Sequence, residues 1–189
     1  MSLIEQPTIS TLYGPVKQSV FDACKSIKLL VLDVDGVLSD GNIYMGNSSE
    51  ELKTFNTKDG YGIKAVMSAG IEVAVITGRQ SSIVQQRMQS LNVKYIVQGQ
   101  ENKSDAIQKI MKEKACTKSN VACIGDDMPD IGLFENSYLK VAVNDAHPYI
   151  RQLANHVTTL NGGRGAVREF CDLLLLSRDL LDKQYGSSI

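Results

Sequence analysis

No stretch of this sequence is apolar for long enough to cross a bilayer. Its longest aliphatic block near the end, residues 173–176, falls far short of the roughly 20 residues a spanning helix needs. An excess of charge of one sign is also missing, with 20 basic against 21 acidic residues. Neither nucleic acid nor an anionic membrane surface is therefore an expected partner. Cysteine is sparse and scattered: Cys24, Cys116, Cys123 and Cys171 contain no C-x-x-C pair. That argues against zinc and disulfides, and for buried free thiols in a reducing compartment. Only His147 and His156 supply imidazoles, and neither has a Cys or Asp at the spacing of a nucleophile triad. Both read as structural, His147 in a turn before Pro148. The first residues lack the basic-then-apolar layout of a secretory signal, so a cytoplasmic protein is expected. Internal repeats and low-complexity linkers are absent as well. One domain over residues 1–189 is the expectation, large enough to bury about 70% of its unfolded surface.

What is present centres on Lys28-Leu29-Leu30-Val31-Leu32-Asp33-Val34-Asp35-Gly36-Val37-Leu38. The unbroken apolar run predicts a strand buried on both faces of a parallel sheet. Asp33 and Asp35 then fall where the crevice of an open α/β sheet lies, beyond the carboxyl end of a strand. Strand periodicity points both to one side, and two like charges so close need a proton or a cation between them. A bare D-x-D-G reads either as a metal-assisted site at Asp33 or as a turn that ends a strand.

Along the chain, Leu12, Val16, Val20, Phe21 and Cys24 at helical spacing predict an amphipathic lead-in helix within residues 9–27, broken early by Gly14-Pro15. Residues 39–56 read as a β-hairpin, with extended segments around Gly46-Asn47-Ser48-Ser49. Helix and strand then alternate regularly. Helices are predicted from Asp59-Gly60 to residue 69, over 81–91 and 102–115, near Pro129, after His147-Pro148, and from Gly165 to about residue 183. Strands are predicted over 71–76, 93–97, 121–124 and 138–143. Such alternation gives a parallel sheet with right-handed crossovers and helices on both faces. Residues 185–189 form a predicted mobile or partner-bound tail.

Three further signals end predicted strands. Thr77-Gly78-Arg79 offers a hydroxyl, backbone amides and a guanidinium fork for an anionic group, although T-G-R is equally a plain turn. Lys103 opens a helix, where its charge opposes the macrodipole; it serves either a site or merely the surface. Gly125-Asp126-Asp127-Met128-Pro129-Asp130 adds three carboxylates, and with Asp33 and Asp35 they make an oxygen-rich set that suits Mg²⁺ better than zinc. An acidic helix cap would explain one of these carboxylates but not three. Asn161-Gly162-Gly163-Arg164-Gly165 lacks the Lys-Ser/Thr of a phosphate loop and reads as a turn before the last helix.

Asp33-Val34-Asp35-Gly36, Thr77, Lys103 and Gly125-Asp126-Asp127, in this order and each after a strand, resemble the four motifs of the haloacid dehalogenase-like phosphohydrolases. More narrowly, residues 36–41, 55–62, 76–79 and 162–169 resemble those of the 3-deoxy-D-manno-octulosonate 8-phosphate phosphatases. The resemblance covers essentially the whole chain. It implies a Rossmann-like three-layer α/β sandwich with a parallel central sheet, no cap domain and a small hairpin flap at 39–56. It also implies a homotetramer in the bacterial pathway to lipopolysaccharide.

The same resemblance assigns roles. Asp33 would be the nucleophile that forms an aspartyl-phosphate, and Asp35 the acid and then base. Thr77 and Lys103 would hold the transferring phosphoryl group, and Mg²⁺ would sit on Asp33, the Asp35 main-chain carbonyl and Asp126, with Asp127 or Asp130 behind it. A sugar acid would meet Asp35, Asn56, Thr57, Lys58, Asp59, Gly60, Lys64, Arg79, Arg87 and Lys103. Position 64 is often arginine in the family; lysine here forms no bidentate pair. Two other readings stand beside this one: a phosphatase of another nonulosonate 9-phosphate of the sialic acid type, and a catalytically dead oligomerisation module. The apolar hairpin residues Ile43, Tyr44, Met45, Leu52 and Phe55 would be poorly buried in a monomer. A tetramer with each active site completed by a neighbouring subunit, which supplies contacts such as Lys64, is therefore expected.

Overall fold

The computed structural model describes residues 7–48 and 50–183. The lead-in differs from the expected helix. An antiparallel hairpin, β1 (Thr8–Thr11) and β2 (Gly14–Lys17), comes first, and the helix α1 is only Gln18–Cys24. Gly14 at φ 102° makes the turn and Pro15 follows in the extended backbone it prefers, so the helical spacing of Leu12 and Val16 was coincidental.

The next strand, β3 (Leu29–Leu32), is buried at every position. It is followed by the small hairpin β4 (Tyr44–Met45) and β5 (Glu51–Leu52), whose ladder is much shorter than the 39–56 segment that carries it. Regular alternation then runs through α2 (Thr57–Ser68), β6 (Glu72–Ile76), α3 (Ser82–Ser90), β7 (Tyr95–Val97), α4 (Lys103–Glu113) and β8 (Val121–Gly125). It ends with α5 (Ile131–Glu135), β9 (Leu139–Ala142), α6 (Pro148–Leu153), β10 (His156–Val157) and α7 (Ala166–Leu176).

The six main strands form one parallel sheet in the order β10-β9-β8-β3-β6-β7. Crossovers run to either side of β3, the arrangement that spreads helices over both faces of a parallel sheet. α7 packs against both α1 and α2, and α4 packs against α5. Strand order reverses beside β3, which opens a crevice at its carboxyl end.

Two more differences have local causes. The last helix stops at Leu176 rather than near residue 183, because Asp179 adopts φ 55° and the Leu180 amide donates back to the Leu175 carbonyl at 3.0 Å. That is the left-handed ending which Asp tolerates better than most residues. β10, two residues long at the sheet edge, escaped the sequence pattern altogether. The predicted tail 185–189 lies outside the described residues. None of the helices among the described residues is long and apolar enough to cross a membrane.

Candidate active site

Asp33 follows β3 directly, and its amide donates to the Ile124 carbonyl of β8, so its position is tied to the sheet. Gly36 turns the chain at φ 90°, and any β-carbon there would strike the carboxylate of Asp126. The glycine of D-x-D-G is thus what lets the carboxylate after β8 lie over the loop after β3. A second glycine acts from the far end of the chain. Gly162 sits against the Gly36 carbonyl, and the Gly163 amide donates to the Val37 carbonyl at 2.8 Å. The turn before α7 is thus a brace for the loop that carries Asp33 and Asp35.

Lys103, at the start of α4, is buried and bridges two carboxylates, Asp33 at 2.5 Å and Asp130 at 2.7 Å. Burial alone would lower its pKa, but those two charges prevail and hold it above the ordinary lysine value. Burial raises the Asp33 carboxyl and Asp130 adds to the effect, with Lys103 opposing both.

Asp130 is structural as well as electrostatic. Its carboxylate accepts from Lys103 and, at 2.9 Å, from the Asp126 amide, and it closes a capping box with Asp127 over the 3₁₀ turn Met128–Asp130. The Asp126 carbonyl in turn accepts from the His147 amide at 2.7 Å, while the His147 ring caps α6. Both interactions suit the structural role expected of that histidine.

Ligand oxygens of Asp33, Asp126 and Asp130 lie within 4.8 Å of one another. Burial and repulsion from Asp33, Asp130 and Asp127 push the Asp126 carboxyl up to about 8. One lysine does not neutralise such a set, and a small hard cation among these oxygens would. The residues therefore fit Mg²⁺.

Around these groups opens a cavity of about 340 Å³, walled by Asp33, Asp35, Thr77, Gly78, Arg79, Lys103, Asp126 and Asp127 among others. The sequence-predicted catalytic and metal positions, together with Arg79, thus meet in one crevice. Arg79 also pairs with Glu51 of the hairpin at 3.1 Å.

The expected sugar-acid contacts on α2 and α3 are not on its wall. Asn56 caps α2 by accepting from the Lys58 amide at 2.8 Å, and Thr57 and Lys58 are exposed on the first turn. Asp59 is buried against the start of α7, where it accepts from the Arg168 amide at 2.8 Å; burial lifts its carboxyl to about 6. Arg87 packs over Gly60. Lys64 lines a different, larger cavity of about 450 Å³ with Glu72, Leu91 and Lys94, at the amino end of β6. That cavity lacks the acidic cluster and lies at the opposite end of the strands from Asp33 and Asp126.

Sequence reasoning missed two contributors to the crevice, Lys53 and the Gly162 brace. The Lys53 ammonium meets the Asp35 carboxylate. Its only signal was the spacing of Glu51 and Lys53, two residues apart on an extended segment.

Comparison with known proteins agrees with this geometry. The haloacid dehalogenase-like hydrolase family model matches residues 92–170. The 3-deoxy-D-manno-octulosonate 8-phosphate phosphatase KdsC of Escherichia coli is 50% identical over 182 residues, covering 96% of this chain and 97% of that protein. A crystal structure of the phosphatase of that name from Yersinia pestis superposes with a TM-score of 0.95 at 46% identity, covering 98% of this chain and 100% of the other. The corresponding Moraxella catarrhalis protein, solved with magnesium, phosphate and KDO, gives 0.85 at 37% identity over 87% of this chain and 95% of that one.

Fold, motif order and crevice define a haloacid dehalogenase-like hydrolase. Within that class the chain belongs to the family of the 3-deoxy-D-manno-octulosonate 8-phosphate phosphatases.

Proposed function

We infer that this protein is a Mg²⁺-dependent phosphatase that hydrolyses 3-deoxy-D-manno-octulosonate 8-phosphate to the free sugar acid and phosphate. The observation that carries this is the buried Asp33–Lys103–Asp130 arrangement beside Asp126, at the switch point of a sheet shared with relatives of that name. Asp33 attacks phosphorus and holds the phosphoryl group as an aspartyl-phosphate, which splits one displacement into two. Asp35 gives its proton to the leaving sugar oxygen, then takes one from the water that cleaves the acyl phosphate. Lys103 aims Asp33 and offsets charge on the transferring group, and the Thr77 hydroxyl donates to a phosphoryl oxygen. Asp33 and Asp126, with the Asp35 main-chain carbonyl, would hold Mg²⁺. Bound there, the ion offsets the negative charge of carboxylate and phosphate. Phosphate release from the sugar phosphate should stop with a chelator and with Asp33→Asn, and should return when Mg²⁺ is restored to the wild type. Release that survives either treatment contradicts the reading.

The chain acts as a single domain without a cap, and we assign the covering of its crevice to assembly. The flap hairpin leaves Met45 76% and Leu52 64% exposed, with Ile43 and Tyr44 beside them. Burial of this surface against the same surface of other copies supports a homotetramer in which neighbours complete each site. The placement of Lys64 away from the crevice of its own chain fits a contact made to a neighbour. Four free cysteines suit a reducing cytoplasm.

A further inference from the structure

The flap hairpin exposes its apolar residues and buries a charge, the reverse of what a solvated flap does. Glu51 on β5 accepts from the Arg79 guanidinium with both oxygens at 3.1 Å. Two residues on, the Lys53 side chain is only 3% exposed, and its ammonium donates to Asp35 Oδ1. Alternation along extended backbone sends residues 51 and 53 to the same side. One hairpin edge therefore grips two catalytic loops with opposite charges: the Thr77-Gly78-Arg79 loop through Glu51 and the Asp33–Gly36 loop through Lys53. Lysine is almost never this buried unless it is paired, and its partner here is Asp35. The same Asp35 oxygen also accepts from the Ser39 hydroxyl at 3.3 Å, a weaker tether.

We propose that Lys53 is a positioning residue that holds the Asp35 carboxyl in line with the leaving oxygen, with Glu51–Arg79 setting the register of the hairpin that carries it. The flap then acts in the chemistry of its own chain, whatever it does between chains. The proposal rests on the phosphatase reading for the role of Asp35. It differs from a role of Lys53 in gripping substrate, which would appear in KM.

The test uses Mg²⁺-loaded wild type, Lys53→Met, Lys53→Arg, Asp35→Asn and the Lys53→Met/Asp35→Asn double variant on two substrates. One is 3-deoxy-D-manno-octulosonate 8-phosphate, whose alkoxide needs a proton to leave. The other is p-nitrophenyl phosphate, whose phenolate does not. Lys53→Met should lower kcat on the sugar phosphate about 10- to 100-fold with little change in KM, and lower it much less on the aryl phosphate. Lys53→Arg should recover most of the loss. In the Asp35→Asn background, Lys53→Met should cost little more. Equal losses on both substrates, a rise in KM alone, or independent effects in the double variant would each overturn the proposal. A wild type inactive on both phosphates would count against the phosphatase reading instead. That outcome would overturn the Lys53 role with it, since no leaving oxygen would remain for Asp35 to protonate.

Discussion

Gly162 rests its bare α-carbon on the main-chain carbonyl of Gly36, although the two residues lie far apart in the chain. The contact ties the turn before α7 to the loop that carries Asp33 and Asp35. Gly162→Ala should force the two backbones apart, costing on the order of 1–3 kcal/mol as overpacking does. Turnover should fall along with stability, because the displaced backbone belongs to the loop of the proposed nucleophile, Asp33. Denaturant unfolding and kcat on the same preparation check this; unchanged values for both would show that the contact is dispensable.

Asp33 and Lys103 predict a contrast between two variants. Asp33→Asn removes a buried charge that already has a like neighbour in Asp130 and leaves Lys103 with one partner. It should abolish nearly all turnover and leave stability close to wild type. Lys103→Met strands two buried carboxylates, a change that costs about 3–5 kcal/mol when a buried pair is broken. It should lose both activity and stability. Chemical denaturation of the two variants in the absence of Mg²⁺ separates them, and a Lys103→Met protein as stable as wild type would contradict the assigned bridge.

How far the sequence could be read depended on distance from the sheet. β3 and β8 are wholly buried, so their apolar runs were visible, and the residues just beyond them, Asp33 and Asp126, could be placed by topology alone. Residues 56–60 resemble substrate contacts in the sequence, but where a helix-start side chain points depends on packing that no local pattern encodes. Asp59 turned out to serve the start of α7. The hairpin β1–β2 hid because four-residue strands around Gly14-Pro15 imitate a broken helix. Lys53 was passed over because its pairing with Asp35 spans 18 residues and depends on how the hairpin folds back.

The half-buried His156 supplies a pH prediction. Burial lowers its pKa from 6.5 to about 4 in the folded protein. Above pH 6.5 it is neutral in both states, and its contribution to stability is full. As pH falls, the unfolded chain takes up the proton first, and the contribution is lost between 6.5 and about 4, to a total of roughly 3 kcal/mol. His156→Gln should therefore flatten stability against pH in that window. The check is unfolding free energy at several pH values; parallel curves for variant and wild type would contradict it.

Subunit mixing tests the assembly. Asp33→Asn and Lys64→Ala variants, each inactive or nearly so, should regain part of the activity when unfolded, mixed and refolded together, because some interfaces pair an intact nucleophile with an intact neighbour. No recovery from well-mixed oligomers would mean that each chain closes its own site.

Substrate choice is read from kcat/KM with Mg²⁺ for three phosphates side by side: 3-deoxy-D-manno-octulosonate 8-phosphate, a nonulosonate 9-phosphate of the sialic acid type, and glucose 6-phosphate. The octulosonate should be hydrolysed about tenfold or more better than the nonulosonate, whose longer chain must fit the same crevice. Glucose 6-phosphate, which brings no carboxylate to Arg79, should be far behind. Similar efficiency on all three, or a preference for either competitor, would contradict it.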